Sequence, residues 1–143
     1  MTHIINSLDE ISHHYDALFV DLWGCVHNGI VAYTAAVEAL IEYRKNGGKV
    51  VLVTNSPKPR IGVEKQLLHF NVPKICYDTV ATSGDSARVA MFTGVVGKKI
   101  FFIGEPRDQL FFEPISIIKS PIKIEQVSIQ NAEGIVCTGP FDL

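Results

Sequence analysis

The sequence predicts an α/β fold in which a parallel sheet is flanked by helices. Short β-branched or aromatic runs alternate with amphipathic stretches of helical length, in the order β-α-β-α-β-α. The connections are short, and the strand-like runs end in polar residues that precede a turn. Because ligands of parallel sheets bind at the carboxyl ends of the strands, these polar residues are the first candidates for a functional site.

The first strand and helix are predicted before the paired glycines at 47 and 48. Ala17–Asp21 is apolar up to its final aspartate and has no helical period, so it is predicted to be a buried strand. In TAAVEALIEYRKNGGK, apolar residues recur at helical spacing. This helix is predicted to begin at a possible Thr34 cap and to end with Lys45, because glycines commonly follow a helix C-terminus.

Two further strand–helix pairs follow. Residues 50–53 form a β-branched strand that runs into Thr54-Asn55-Ser56, and PRIGVEKQLLHF is the next predicted helix. The third strand is predicted around Thr79–Thr82, and DSARVAMF is the helix after it. Thr82-Ser83-Gly84, with Asp85 behind it, is interpreted as the capped start of that helix.

The pattern of predicted segments changes after Gly97. KKIFFIG, PRDQLFFE and AEGIVCTG predict a strand, a helix and a strand, and the Pro- and Ile-rich segment EPISIIKSPIKIEQ separates the last two. We therefore predict a domain boundary near Gly97, with residues 1–97 on one side and 98–143 on the other.

Composition and charge exclude several classes of function. The net charge is −2 and Lys/Arg runs are absent from the sequence, which argues against nucleic acid and anionic membranes as partners. The longest apolar runs have the length of strands, and the start of the chain lacks the pattern of a signal peptide. The 3 cysteines are widely spaced, so no disulfide framework is indicated. A cytoplasmic location is expected.

Polar residues at two predicted strand ends are the main candidates for chemistry. Asp21 has three interpretations: a nucleophile that forms an acyl-phosphate, a Mg²⁺ ligand, or an aspartate that caps its own turn. Thr54 and Asn55 precede a helix, where a hydroxyl, an amide and backbone N–H groups suit a phosphate. They are equally consistent with an ordinary cap.

Other side chains are weaker candidates. His27 and Cys25 are too close in sequence for a usual zinc motif, so we interpret them as a loop histidine and a packed thiol. His13 and His14 are predicted to lie on a solvated helix face. Trp23 either stacks on a ligand or fills a core or pocket wall.

Three blocks in order resemble a known superfamily. DLWGCVHNG, AAVEALIEYRKNGGKVVLVTNS and ATSGDSARVAM are similar to the haloacid dehalogenase-like (HAD) superfamily, specifically to class IIA, the nitrophenyl-phosphatase-like and sugar- or nucleotide-phosphatase-like enzymes. The resemblance extends from about Ala17 to Gly104 and more weakly to Gly139. It implies a Rossmannoid core with an inserted α/β cap domain that begins near Lys98.

The resemblance also implies roles for single residues. Asp21 matches the family's nucleophile, and Thr54, with Asn55 following, matches the residue whose hydroxyl holds the phosphoryl group. Mg²⁺ is the implied cofactor, with the Asp21 carboxylate and the Trp23 backbone carbonyl as its ligands. The implied substrate is a small phosphorylated metabolite. Family members often associate through the cap, so a homo-oligomer is also expected.

Two departures from the family pattern affect the predicted activity. Trp23 occupies the position of the general acid and base, which typically contributes 10²–10⁴-fold to the rate. The family's third-motif lysine and fourth-motif acids follow the cap, and the chain ends before them, so it is expected to correspond to an N-terminal half. Two alternatives to a phosphatase remain: a binding or assembly module, and a metal-independent displacement as in haloalkanoate dehalogenases, which carry an aromatic residue at this position.

Overall fold

A computed structural model of the chain describes residues 4–139, which divide into two compact units. The first unit runs to Thr54 and resumes at Arg60–Ala81. The second unit combines Asn55–Pro59 with the chain from Thr82 onward. The boundary at Gly97 concerns the start of a cap domain, which these units do not test, and it stays a prediction. No helix within residues 4–139 is long and apolar enough to cross a membrane.

The first unit contains a sheet with the strand order β1-β2-β3. Its elements, in chain order, are α1 (Asp9–Ser12), β1 (Ala17–Asp21), α2 (Thr34–Lys45), β2 (Lys49–Thr54), α3 (Arg60–His69), a 3₁₀ turn (Lys74–Cys76) and β3 (Thr79–Thr82), of which only the last residue belongs to the second unit. β1 and β2 are parallel, with Ala17 opposite Lys49 and Asp21 opposite Val53. The predicted parallel α/β arrangement is thus confirmed.

One face of this sheet carries the core of the first unit. Val50, Leu52 and Val80 are buried there, and they pack with apolar residues of α2 and α3. The opposite face is exposed: Phe19 keeps 77% of its surface in water and Val53 keeps 38%. The prediction that β1 is a buried strand is therefore wrong. Within residues 4–139, β1 pairs with β2 alone, and its alternate side chains point away from the core.

The ends of α2 are set by neighbouring backbone hydrogen bonds. The Tyr33 N–H donates to the Val26 carbonyl (2.8 Å), which fixes Tyr33 as the extended residue before the helix. Thr34 is therefore the first helical residue. The prediction that Thr34 caps the helix is wrong. At the other end the helix stops after Lys45 as predicted, and Gly47 turns the chain with a φ of +92°.

Asp78 joins three segments of the first unit. Its carboxylate accepts a hydrogen bond from the Val50 N–H (2.8 Å) and two from the Arg44 guanidinium (3.1 Å each). The start of β3 is thereby fastened to β2 and to α2.

The second unit contains a second sheet with the strand order β5-β4-β6 and parallel pairings. Its elements are α4 (Ser83–Phe92), β4 (Lys99–Ile103), a 3₁₀ helix (Pro106–Phe112), β5 (Glu125–Gln126), a 3₁₀ turn (Ile129–Asn131) and β6 (Gly134–Cys137). The predicted helix in PRDQLFFE is present as a 3₁₀ helix. β5 was not predicted, because two residues carry no periodicity.

A buried arginine fastens α4 within the second unit. Arg88 is only 6% exposed beside the core residues Met91 and Phe111. Its Nε donates to the Phe111 carbonyl (3.0 Å) and its Nη1 to Asp85 (2.9 Å), while Nη2 donates to the Glu113 carbonyl. All three branches of the guanidinium therefore have partners, which is what makes its burial tolerable.

Candidate active site

Asp21 and Thr54 lie at the same edge of the first sheet. Asp21 is the last residue of β1 and stands opposite Val53, so Thr54 is one residue further along the neighbouring parallel strand. Asp21 is exposed and Thr54 is half-buried. Both residues therefore lie at the carboxyl ends of neighbouring parallel strands, as expected from the parallel sheet.

Asn55 and Ser83 belong to the second unit. Asn55 is exposed, and its role in phosphate binding stays a prediction. Ser83 is the first residue of α4, and Thr82 caps that helix by accepting the Asp85 N–H on its hydroxyl (2.9 Å). The interpretation of this segment as a helix start is confirmed.

The turn after Asp21 is closed by its own backbone. The Gly24 N–H donates to the His27 carbonyl (2.8 Å), and the Val26 N–H donates to the Leu22 carbonyl (2.9 Å). Leu22 and Val26 are buried and anchor the turn in the core of the first unit. Gly24 adopts a φ of +78°, a conformation that favours glycine. The chain beyond the carboxylate therefore has a defined conformation.

Trp23 projects from this turn with 68% of its surface exposed. The alternative in which it fills a core is therefore wrong. Its ring lies against Gly29, where an added Cβ would come within 2.4 Å of two ring atoms. The His27 ring meets it edge-on, with centroids 6.0 Å apart. The indole is thus supported from the loop side and open to solvent two residues after Asp21.

His27 is buried in the same loop, at 5% exposure. Its Nδ1 accepts the Gly29 N–H (3.0 Å), so the neutral ring carries its proton on Nε2. Burial lowers the pKa of His27, and the negative charge of Asp21 partly opposes this effect. The sequence identified a loop histidine but gave no sign that it is a buried support for the loop.

Two other minor predictions are corrected. Cys25 is exposed and not a packed thiol, because the turn directs Leu22 and Val26 into the core instead. His13 and His14 are exposed, but they follow α1, which ends at Ser12, and so do not form a helix face.

Magnesium is the metal predicted at this edge of the sheet. Within residues 4–139, no group of three or more His, Cys, Asp or Glu side chains is arranged to hold a metal. The predicted ligands are the Asp21 carboxylate and the Trp23 carbonyl. Mg²⁺ is commonly held by one or two carboxylates, with phosphate oxygens and water completing its shell. The chemistry of these two oxygens fits an ion bound together with a phosphate, and the site itself stays a prediction.

Comparisons with known proteins agree with this architecture. The family model described as "haloacid dehalogenase-like hydrolase" matches residues 18–115. A crystal structure of a hydrolase of the haloacid dehalogenase-like family from Brucella suis 1330 superposes with a TM-score of 0.83 at 38% sequence identity. The match covers 97% of this chain and 48% of that one, so the chain spans about half the length of this relative. No curated protein matches the sequence. The chain belongs to the haloacid dehalogenase-like hydrolase family.

Proposed function

We propose that this protein acts in the hydrolysis of a small phosphorylated metabolite, with Asp21 as the nucleophile. The observation that supports the proposal is that Asp21, which is exposed, and Thr54 are the last residues of two neighbouring parallel strands. Membership of a hydrolase family supports it.

The reaction proceeds in two steps. A carboxylate oxygen of Asp21 forms a bond to phosphorus while the bond to the leaving oxygen breaks, which gives an aspartyl phosphate. Water then attacks this phosphorus, releasing phosphate and regenerating the carboxylate. The Thr54 hydroxyl donates a hydrogen bond to a phosphoryl oxygen and holds the group in line. Asn55, the next residue in sequence, is the second residue that the family resemblance implies in phosphate binding.

A magnesium ion belongs to this proposal. The Asp21 carboxylate and the Trp23 carbonyl would hold it, and when bound it would supply positive charge to neutralise the phosphoryl oxygens. The Trp23 side chain cannot transfer a proton in either step. Relative to a family member with an acid at this position, a rate loss on the order of 10²–10⁴-fold is expected for substrates that need protonation.

The proposal is tested by phosphate release from a panel of small phosphate compounds, with and without Mg²⁺. We expect activity that requires Mg²⁺, disappears in Asp21→Asn and falls in Thr54→Val. Undiminished activity in Asp21→Asn would refute the nucleophile. Binding of phosphate compounds with no turnover would favour the binding-module alternative. Halide release from haloalkanoates without Mg²⁺ would favour the dehalogenase alternative.

We also propose that the protein works in the cytoplasm and self-associates. Family members often associate through the cap, so a homo-oligomer is the expected state of this protein. Sedimentation velocity is expected to show a species larger than the monomer; a monomeric protein would refute self-association.

A further inference from the structure

We propose that Asn46 is a site of spontaneous chemical modification: its side-chain amide cyclises onto the nitrogen of Gly47 and then hydrolyses to aspartate and isoaspartate. The sequence contains two Asn-Gly pairs, Asn28-Gly29 and Asn46-Gly47. A glycine in the second position leaves the attacking nitrogen unhindered, so the sequence alone makes both pairs candidates. The surroundings of the two pairs differ, and they direct the modification to the second pair.

The reaction needs only the protein and water, so it does not depend on the proposed function. The Gly47 nitrogen, after losing its proton to solvent, forms a bond to the side-chain carbonyl carbon of Asn46, and the bond from that carbon to the amide nitrogen breaks. The amide nitrogen takes up a proton and leaves as ammonia, which gives a five-membered succinimide ring. Water then opens the ring at either carbonyl. One product is aspartate, and the other is isoaspartate, in which the main chain runs through the former side chain.

The first pair is held in a conformation that prevents this attack. The side-chain oxygen of Asn28 accepts the N–H groups of Ile30 and Val31 (2.9 Å each). The Gly29 N–H, whose nitrogen would attack, donates to His27 Nδ1 (3.0 Å). Closure of the succinimide ring requires all three hydrogen bonds to break, because it turns the side-chain amide toward the nitrogen and replaces the proton there.

The space around the two glycines differs in the same sense. The Trp23 ring lies against the half-buried Gly29, where an added Cβ would come within 2.4 Å of two ring atoms. Gly47 is exposed, and an added Cβ there would have no heavy atom within 4 Å. The Asn46 side chain therefore has room to fold over Gly47, whereas the indole occupies the corresponding space at Gly29.

The second pair lies where the chain can open. Asn46 follows α2 and is exposed. In the described part of the chain, the hydrogen bonds of Asn46 and Gly47 involve their backbone groups only. The Gly47 N–H donates to the Arg44 carbonyl (3.0 Å), and this contact belongs to a helix end, where hydrogen bonds fray. The Asn46 amide is thus unrestrained, and one fraying contact shields the attacking nitrogen.

Isoaspartate at position 46 would disturb the connection between α2 and β2. Gly48 packs so closely on the Tyr43 ring that an added Cβ would lie 2.2 Å from a ring atom, and its N–H donates to the Tyr43 carbonyl (3.1 Å). The next N–H, of Lys49, donates to the Asp16 carbonyl beside the start of β1 (3.0 Å). An extra main-chain carbon in this turn moves both donors away from their acceptors. The modified first unit is therefore expected to unfold more easily.

The test is an ageing experiment on the full chain. Folded protein is kept at neutral pH and physiological temperature, and peptide mapping by mass spectrometry follows the mass gain that accompanies the exchange of an amide for a carboxylate at each pair. We expect Asn46 to convert faster than Asn28 by about 10-fold or more, since two hydrogen bonds hold the Asn28 side chain. An unmodified Asn46, equal rates at the two sites, or a faster Asn28 would overturn the inference.

The unfolded chain gives the control. In urea, where the contacts of the folded loop are absent, the two pairs are expected to convert at similar rates. A preference for Asn46 that persists unchanged in urea would show that neighbours in the sequence set it, and this result would also overturn the inference.

A matched variant tests the consequence for stability. Asn46→Gln keeps the amide but lengthens the side chain by one carbon, so the five-membered ring cannot form. On ageing, the wild type is expected to unfold at progressively lower urea concentrations, whereas fresh and aged Asn46→Gln should unfold at the same concentration. An equal loss in the two proteins would overturn the claim that modification of this turn destabilises the first unit.

Discussion

Replacing Arg88 by methionine should destabilise the second unit strongly. The substitution keeps an apolar stem of similar length in the core but removes the guanidinium, which is only 8% exposed as a side chain. The Phe111 carbonyl loses a donor at 3.0 Å, and the Glu113 carbonyl loses one as well. Asp85 loses its pair at 2.9 Å, but with 26% of its side chain exposed it can turn to water.

The expected loss in the free energy of unfolding comes mainly from the two carbonyls that lose their donors. Each loses a hydrogen bond to a charged donor, which is typically worth about 1.5–3 kcal/mol. Because such losses do not add fully, we expect about 3 kcal/mol in the free energy of unfolding. Urea denaturation followed by far-UV circular dichroism measures it.

A matched substitution gives the control. Arg107 also pairs with a carboxylate, at 3.0 Å from Glu105, but its side chain is 69% exposed. Arg107→Met should therefore change the stability by no more than about 0.5 kcal/mol. If both methionine variants lose the same free energy, burial of the Arg88 contacts is not what stabilises α4, and the reasoning fails.

Two further predictions concern a close backbone approach and a carboxylate. A Cβ at Gly84 would lie 2.0 Å from the Pro57 carbonyl oxygen, so Gly84→Ala should cost about 2–3 kcal/mol by thermal unfolding; a cost below about 0.5 kcal/mol would contradict this approach. The hydrogen bond from the Val50 N–H lowers the pKa of Asp78 from its ordinary value of 3.8, and the Arg44 guanidinium lowers it further. Burial of the carboxyl group opposes this shift in part. A carboxyl group whose pKa is lowered in the folded state contributes its full stabilisation at pH values above its unfolded-state pKa. This contribution is lost as the pH falls through the folded-state pKa. Urea denaturation at a series of pH values below 4 should show the free energy of unfolding falling with pH, and Asp78→Asn should reduce this dependence. The same slope of unfolding free energy against pH in both proteins would contradict the prediction.

Local pattern was sufficient to predict most of the fold. β1 and β3 have the bounds that their apolar runs indicated, and α2 ends where its glycines required. Periodicity does not say which faces of a strand are covered, because that depends on elements distant in the chain. The exposure of Phe19 was therefore missed. The short 3₁₀ helix Pro106–Phe112 was predicted only as a helix, since hydrophobic spacing over seven residues does not distinguish the two helix types.

The position of the candidate residues in the sheet was predictable as well. Asp21 and Thr54 were expected at strand ends, because parallel strands end at one edge of a sheet, and their roles stay predictions. The support of Trp23 was not predictable, because it depends on contacts that no local pattern encodes. These are the positive φ of Gly29, the acceptor role of His27 and the packing of that ring on Phe70, which is distant in sequence.

The surroundings of Trp23 decide between the interpretations of its side chain. The indole occupies space that exists because residue 29 is glycine at a φ of +89°, and the buried His27 ring contacts both residues. A large apolar ring kept 68% exposed gains little from folding, so packing in a core does not explain this fit. Contact of Trp23 with a ligand, or a place in a pocket wall, stays a prediction.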